Sequence, residues 1–127
     1  MAKYKFKFQS IKNVKEMLEK KIQEEISRIN KQIEDLRFEL KHLTNERKRV
    51  SIQMTEKSTI VSDYQSMKMY GSHLQQQMEA IERKIELSLT KREEKQKELV
   101  ERKKEIKSLE IIKENDYLNF LSEERKN

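Results

Sequence analysis

The stretch that decides the fold is IQEEISRINKQIEDLRFELKHL, residues 22–43. Its apolar residues are Ile22, Ile26, Ile29, Ile33, Leu36, Leu40 and Leu43, and the steps between them alternate four and three. That is the period of a helix that buries one narrow seam against a partner helix. Charged and amide side chains fill nearly every other position, so the stretch has one apolar stripe and no second face to bury.

The pattern extends both ways. Upstream lie Ile11, Val14 and Leu18, and downstream come Val50 and Met54 after a polar Arg47. Three successive steps of four between Val14 and Ile26 predict a stutter that locally relaxes the supercoil. A second ladder runs Met67, Tyr70, Leu74, Met78, Ile81, Ile85 and Leu89. It continues through Leu99, Ile106, Leu109, Tyr117 and Phe120, with polar Arg92, Gln96 and Lys103 interrupting. Little along the way would end a helix: there is no proline and one glycine, Gly71.

Between the ladders lies Lys57-Ser58-Thr59-Ile60-Val61-Ser62-Asp63, where Ser, Thr and Asp compete with the helix for backbone bonds. Ser62 with Gln65 reads as a capping box for a new helix. If the chain folds back there, Val50 faces Tyr70, Leu43 faces Met78, Leu36 faces Ile85, Ile22 faces Leu99 and Val14 faces Ile106. Apolar meets apolar throughout. The expectation is an all-α chain, two long helices forming one antiparallel coiled-coil hairpin over 1–127. It has an aromatic and basic arm at 1–9, helix 1 at 10–57, a turn at 58–62 and helix 2 at 63–125. At ~1.5 Å per residue helix 1 would span about 70 Å and helix 2 about 90 Å. The overhang leaves Tyr117 and Phe120 for the arm residues Tyr4, Phe6 and Phe8 to cover.

Charged residues make up 41% of the chain, apolar residues 34% and aromatics 6%, a coiled-coil composition with too little for a thick core. Cysteine is absent, which removes disulfides and thiolate metal sites. No apolar run approaches the ~18 residues of a membrane span, and the N-terminus lacks the apolar block of a signal peptide. The net charge of +6 is uneven: residues 1–21 hold seven lysines against two glutamates. A localised basic end of that kind steers acidic partners.

Catalysis has no foothold in the motifs. One glycine cannot build a phosphate loop, and there is no H-E-x-x-H. His42 and His73 read as solvated imidazoles on opposite helices, with a contact role near the turn left open. On two helices no carboxylate gains the enclosed pocket that acid–base work requires. The expectation is no catalytic residues, no metal and no cofactor. Function then rests on partners. The alternation Lys3-Tyr4-Lys5-Phe6-Lys7-Phe8 could stack rings on bases and set lysines on phosphates, or pack its rings on helix 2. Met54, Met67, Met69 and Met78 gather near the turn, where methionine suits either an irregular core or a binding surface.

The opening Tyr4-Lys5-Phe6-Lys7-Phe8-Gln9, the charged helix from Ile11 and the segment Tyr64-Gln65…Tyr70…Leu74…Met78 together resemble the FliJ family of flagellar type III protein export. The ending Tyr117-Leu118…Glu123-Glu124-Arg125-Lys126 is similar too. The resemblance implies an antiparallel two-helix coiled coil like the central stalk of a rotary ATPase. Its terminal end would enter the hexamer of the flagellar export ATPase. Its turn end would touch the cytoplasmic domain of the export gate, and it would escort export chaperones. It would be cytoplasmic, held peripherally at the inner face of the cell membrane at the flagellar base, with no integral membrane segment and no nucleic acid. Carried over residue by residue, the gate contacts fall on Leu43, Glu46, Val50, Tyr70 and Leu74. Some members have aromatic residues where Glu46 and Val50 stand, and a small residue where Gln77 stands. The ATPase contacts implied are Tyr4, Phe6, Phe8, Lys12 and Lys15. A basic structural or nucleic-acid-binding hairpin unrelated to flagella is the competing reading.

Overall fold

In a computed structural model of the protein, residues 3–56 and 60–126 are described. They form two helices, α1 (Gln9–Met54, 46 residues) and α2 (Val61–Lys126, 66 residues), and no strand occurs among them. The helices pack antiparallel as a hairpin. The chain divides into two compact units rather than one undivided body. A terminal unit comprises Met1–Ser27 with Glu93–Asn127, and a turn unit comprises Arg28–Arg92.

The helix ends differ from the boundaries expected from the sequence. α1 stops at Met54, three residues before the expected Lys57, because its last turn tightens. Thr55 N–H donates to the Ile52 carbonyl at 3.1 Å, its hydroxyl donates there at 2.7 Å, and Glu56 N–H donates to Gln53 at 3.2 Å. Such bonds satisfy carbonyls that a helix end leaves free. α2 is already helical at Val61, and Tyr64 N–H donates to the Ile60 carbonyl at 2.9 Å. Ser62 therefore sits inside the first turn and does not cap it. Asp63 in that turn and Arg125 and Lys126 in the last match the helix dipole. Residues 58 and 59 of the expected turn, and residue 57 at the expected end of helix 1, lie outside the described residues.

The seam follows a seven-residue repeat with no stutter. The inner positions run from Phe8, just before α1, through Lys12, Lys15, Glu19, Ile22 and Ile26 of α1 and onward to Val50 and Met54; all are buried or half-buried except Arg47. On α2 they run Met67, Gly71, Leu74, Met78, Ile81, Ile85 and onward through Ser88, Lys95, Arg102, Lys113 and Asp116 to Phe120, all buried or half-buried. Ile11 and Val14, placed in the seam by apolar spacing, are 49% and 54% exposed. The helix keeps its period and accepts lysine there instead, because a lysine stem covers apolar surface while its amine reaches a carboxylate. Tyr70 and the polar breaks Gln96 and Lys103 are likewise exposed, and Gly71, Lys95 and Arg102 hold the inner positions. Arg92 is half-buried as expected, its guanidinium donating to Asn30 at 3.0 Å.

Pairing within each unit confirms the fold-back. In the terminal unit Lys15 meets Glu105 at 2.7 Å, Lys95 meets Glu25 at 2.9 Å and Tyr4 meets Asp116 at 2.9 Å; each pair of residue numbers totals 120. In the turn unit Arg47 bonds Gln75 and Tyr70 bonds Glu46. The buried apolar residues of the turn unit are Ile29, Ile33, Val50, Leu74, Met78 and Ile81, and those of the terminal unit are Phe6, Ile22 and Ile106. Two helices leave each seam open on its flanks, and no described side chain is wholly enclosed.

Candidate partner-binding surfaces

The terminal unit is closed by its arm. Residues 3–6 carry no regular structure, and Lys7 and Phe8 turn the chain into α1, with Gln9 N–H on the Phe6 carbonyl at 3.1 Å. The Tyr4 ring packs edge-on against Tyr117 at 5.1 Å and tilted against Phe120 at 5.4 Å. Its hydroxyl donates to Asp116 Oδ2 at 2.9 Å. Desolvation, then the bond to and charge of Asp116, hold the phenol above its ordinary pKa. Phe6 is buried and stands edge-on to Phe8 at 5.6 Å, whose face receives Lys7 Nζ at 4.9 Å. Tyr4 therefore covers Tyr117 and Phe120, as the overhang of helix 2 predicts, while Phe6 and Phe8 pack on one another.

Of the cationic positions implied here, Lys12 and Lys15 lie in the seam, their side chains 14% and 29% exposed. Lys12 Nζ meets Glu16 at 2.9 Å and Lys15 Nζ meets Glu105 at 2.7 Å. The basic end expected from residues 1–21 is also diluted. The fold sets those lysines in one unit with Glu110, Glu114, Asp116, Glu123 and Glu124. The terminal unit then holds sixteen cationic and fourteen acidic residues, a net +2. The turn unit holds thirteen and nine, a net +4. A linear charge count misses this because it reads the two helices one after the other.

The Lys15 pair fixes the titration of Glu105. The hydrogen bond from Lys15, then its charge, hold the carboxyl below the usual glutamate value. A lowered folded pKa means stability that is complete above the unfolded glutamate pKa and lost as pH falls through the folded one. We expect Glu105 to titrate below ordinary glutamate by carboxyl NMR and to return towards it in Lys15→Met. An unchanged midpoint in that variant would show that the pair does not form.

In the turn unit the five positions implied as gate contacts separate into two groups. Val50 and Leu74 are each 3% exposed and Leu43 is half-buried; these three build the seam. Glu46 and Tyr70 meet on the flank. The Tyr70 hydroxyl donates to Glu46 Oε1 at 3.3 Å, and Arg49 forks onto the same carboxylate. The Arg49 bond is the chief reason that the Glu46 carboxyl is held below its ordinary value. Tyr70 itself is 43% exposed.

The turn unit also has a shallow groove, lined by neither Tyr70 nor Glu46, that apolar spacing alone does not reveal. Arg47, Val50, Ser51, Met54, Lys68, Gly71 and Gln75 line it. It exists because Gly71 holds an inner position with no side chain, so a β-carbon there would meet nothing within 4 Å. The seven-residue spacing 71-78-85 was the signal that could have placed Gly71 in the seam. Of the methionines gathered here, Met78 is buried, Met54 and Met67 are half-buried, and Met69 is exposed.

His42 stands edge-on to Phe38 at 5.2 Å and both are exposed. No group of three or more His, Cys, Asp or Glu that could hold a metal occurs among the described residues. No described helix is long and apolar enough to cross a membrane. No family model, curated protein or solved structure matches the chain.

Proposed function

We propose that the chain is a stalk-like component of flagellar protein export, of the kind its sequence resembles, that works by binding rather than by catalysis. One observation carries the reading: Tyr70 stands exposed on the turn unit, tied to Glu46. A flank of that kind offers an aromatic handle on a hydrogen-bonded base, a combination favoured at protein interfaces. We assign it to the cytoplasmic domain of the export gate. The aromatic arm and α1 start, with Tyr4, Phe6, Phe8, Lys12 and Lys15, are assigned to the hexameric export ATPase, and export chaperones are further partners. In this role the protein is cytoplasmic and peripheral to the inner face of the membrane.

The nucleic-acid reading is less well supported. Its rings are used in packing, and its lysines share their unit with acidic residues that weaken a phosphate-binding field. The test is hydrolysis by the flagellar export ATPase of the same organism, with this protein added below one copy per hexamer. Stimulation is expected. No stimulation, together with no co-elution, would overturn the proposal.

A further inference from the structure

The two units are held by different forces. In the turn unit the buried seam is aliphatic, with Ile29, Ile33, Val50, Leu74, Met78 and Ile81 all at or below 8% exposure. In the terminal unit Lys12, Lys15 and Glu19 of α1 and Lys95, Arg102 and Lys113 of α2 take inner positions, all half-buried. What joins the helices there is in good part ionic: Lys15 to Glu105 and Lys95 to Glu25. Apolar burial stabilises by roughly 25 cal/mol per Å². A solvated ion pair stabilises far less than buried apolar surface, and salt screens it. A lysine in a seam position specifies pairing at a cost in stability.

We propose that the terminal unit is a salt-responsive opening segment: its two helices separate cooperatively under conditions in which the turn unit stays closed. Opening uncovers the inner faces of Ile22 and Ile106, and it parts the Tyr4 ring from Tyr117 and Phe120. Regions that open first are those with few buried apolar contacts, and here the deficit is built into the heptad rather than confined to the chain ends. The device is independent of the export reading.

Hydrogen exchange of the full chain, read by mass spectrometry, tests it. Amides of 15–27 and 95–110 should exchange at least ~10-fold faster than those of 29–50 and 74–85. Raising salt from about 0.01 M to about 1 M, which shortens the screening length from about 30 Å to about 3 Å, should speed only the first set. The double variant Lys15→Leu/Lys95→Leu should slow that set towards the second and remove its salt response. Equal protection in both units would overturn the proposal, as would a salt effect shared by both or no slowing in the variant. So would a gradient falling smoothly from the chain ends, because that is fraying; Lys95 lies far from either end of α2.

Discussion

Leu74→Ala is expected to lower the unfolding free energy by about 2–5 kcal/mol, the usual range for truncating a buried leucine. Tyr70→Ala, four residues earlier on the same helix, is expected to cost no more than about 0.5–1 kcal/mol. Leu74 is 3% exposed in the seam, whereas Tyr70 is 43% exposed and holds Glu46 through one long hydrogen bond. Urea unfolding followed by circular dichroism measures both. The contrast also decides the register. If Tyr70→Ala were the costly change, the tyrosine would occupy the inner position, and Gly71 would lie outside the seam. The consequence for function is practical. Truncating Leu74 tests the hairpin, so loss of a partner with that variant says nothing about contact. Tyr70→Ala and Glu46→Gln are the changes that probe the flank. Under the export proposal they weaken binding to the gate domain while ATPase stimulation persists.

The hairpin was legible because residues 22–43 and 74–85 are apolar at nearly every inner position, so spacing and burial agree there. They part company where the seam turns polar. Near α1's start, apolar spacing passes through Ile11 and Val14, but the helix keeps its seven-residue step and turns Lys12 and Lys15 inward. A hydrophobic pattern cannot register an inner lysine, because the stem that packs and the amine that escapes count as one polar letter. The same blindness exchanged Gly71 for Tyr70 and Arg102 for Lys103. The arm was easier to read: Tyr117 and Phe120 lie past the reach of α1, and aromatic residues left uncovered at one end find those at the other. Among the site residues, Glu46 and Tyr70 were placed by resemblance, and the fold puts them in contact. Leu43, Val50 and Leu74 came by the same route but serve the seam, since a two-helix protein has too few apolar residues to keep its largest ones outside.

Gly71→Ala should raise stability by about 1 kcal/mol, since glycine costs a helix interior that much relative to alanine. Nothing in the backbone opposes the change: no described residue has positive φ, and the added β-carbon has open space within 4 Å. Gly71→Leu should do more, about 2–3 kcal/mol in all, because the side chain would enter the groove beside Val50 and Met54 and bury apolar surface against them. A higher urea midpoint for both, leucine above alanine, is the expected result; a fall for leucine would mean that the groove is too narrow for it. A seam position that forgoes this stabilisation is best explained by use of the groove, since stabilising changes at binding sites commonly cost function. Gly71→Leu therefore separates two effects that Leu74→Ala confounds. If the groove receives a partner's side chain, the leucine variant binds the gate domain worse while unfolding later. If binding survives intact in the more stable variant, contact rests on the Tyr70–Glu46 flank alone, and Gly71 is only an imperfection in the seam.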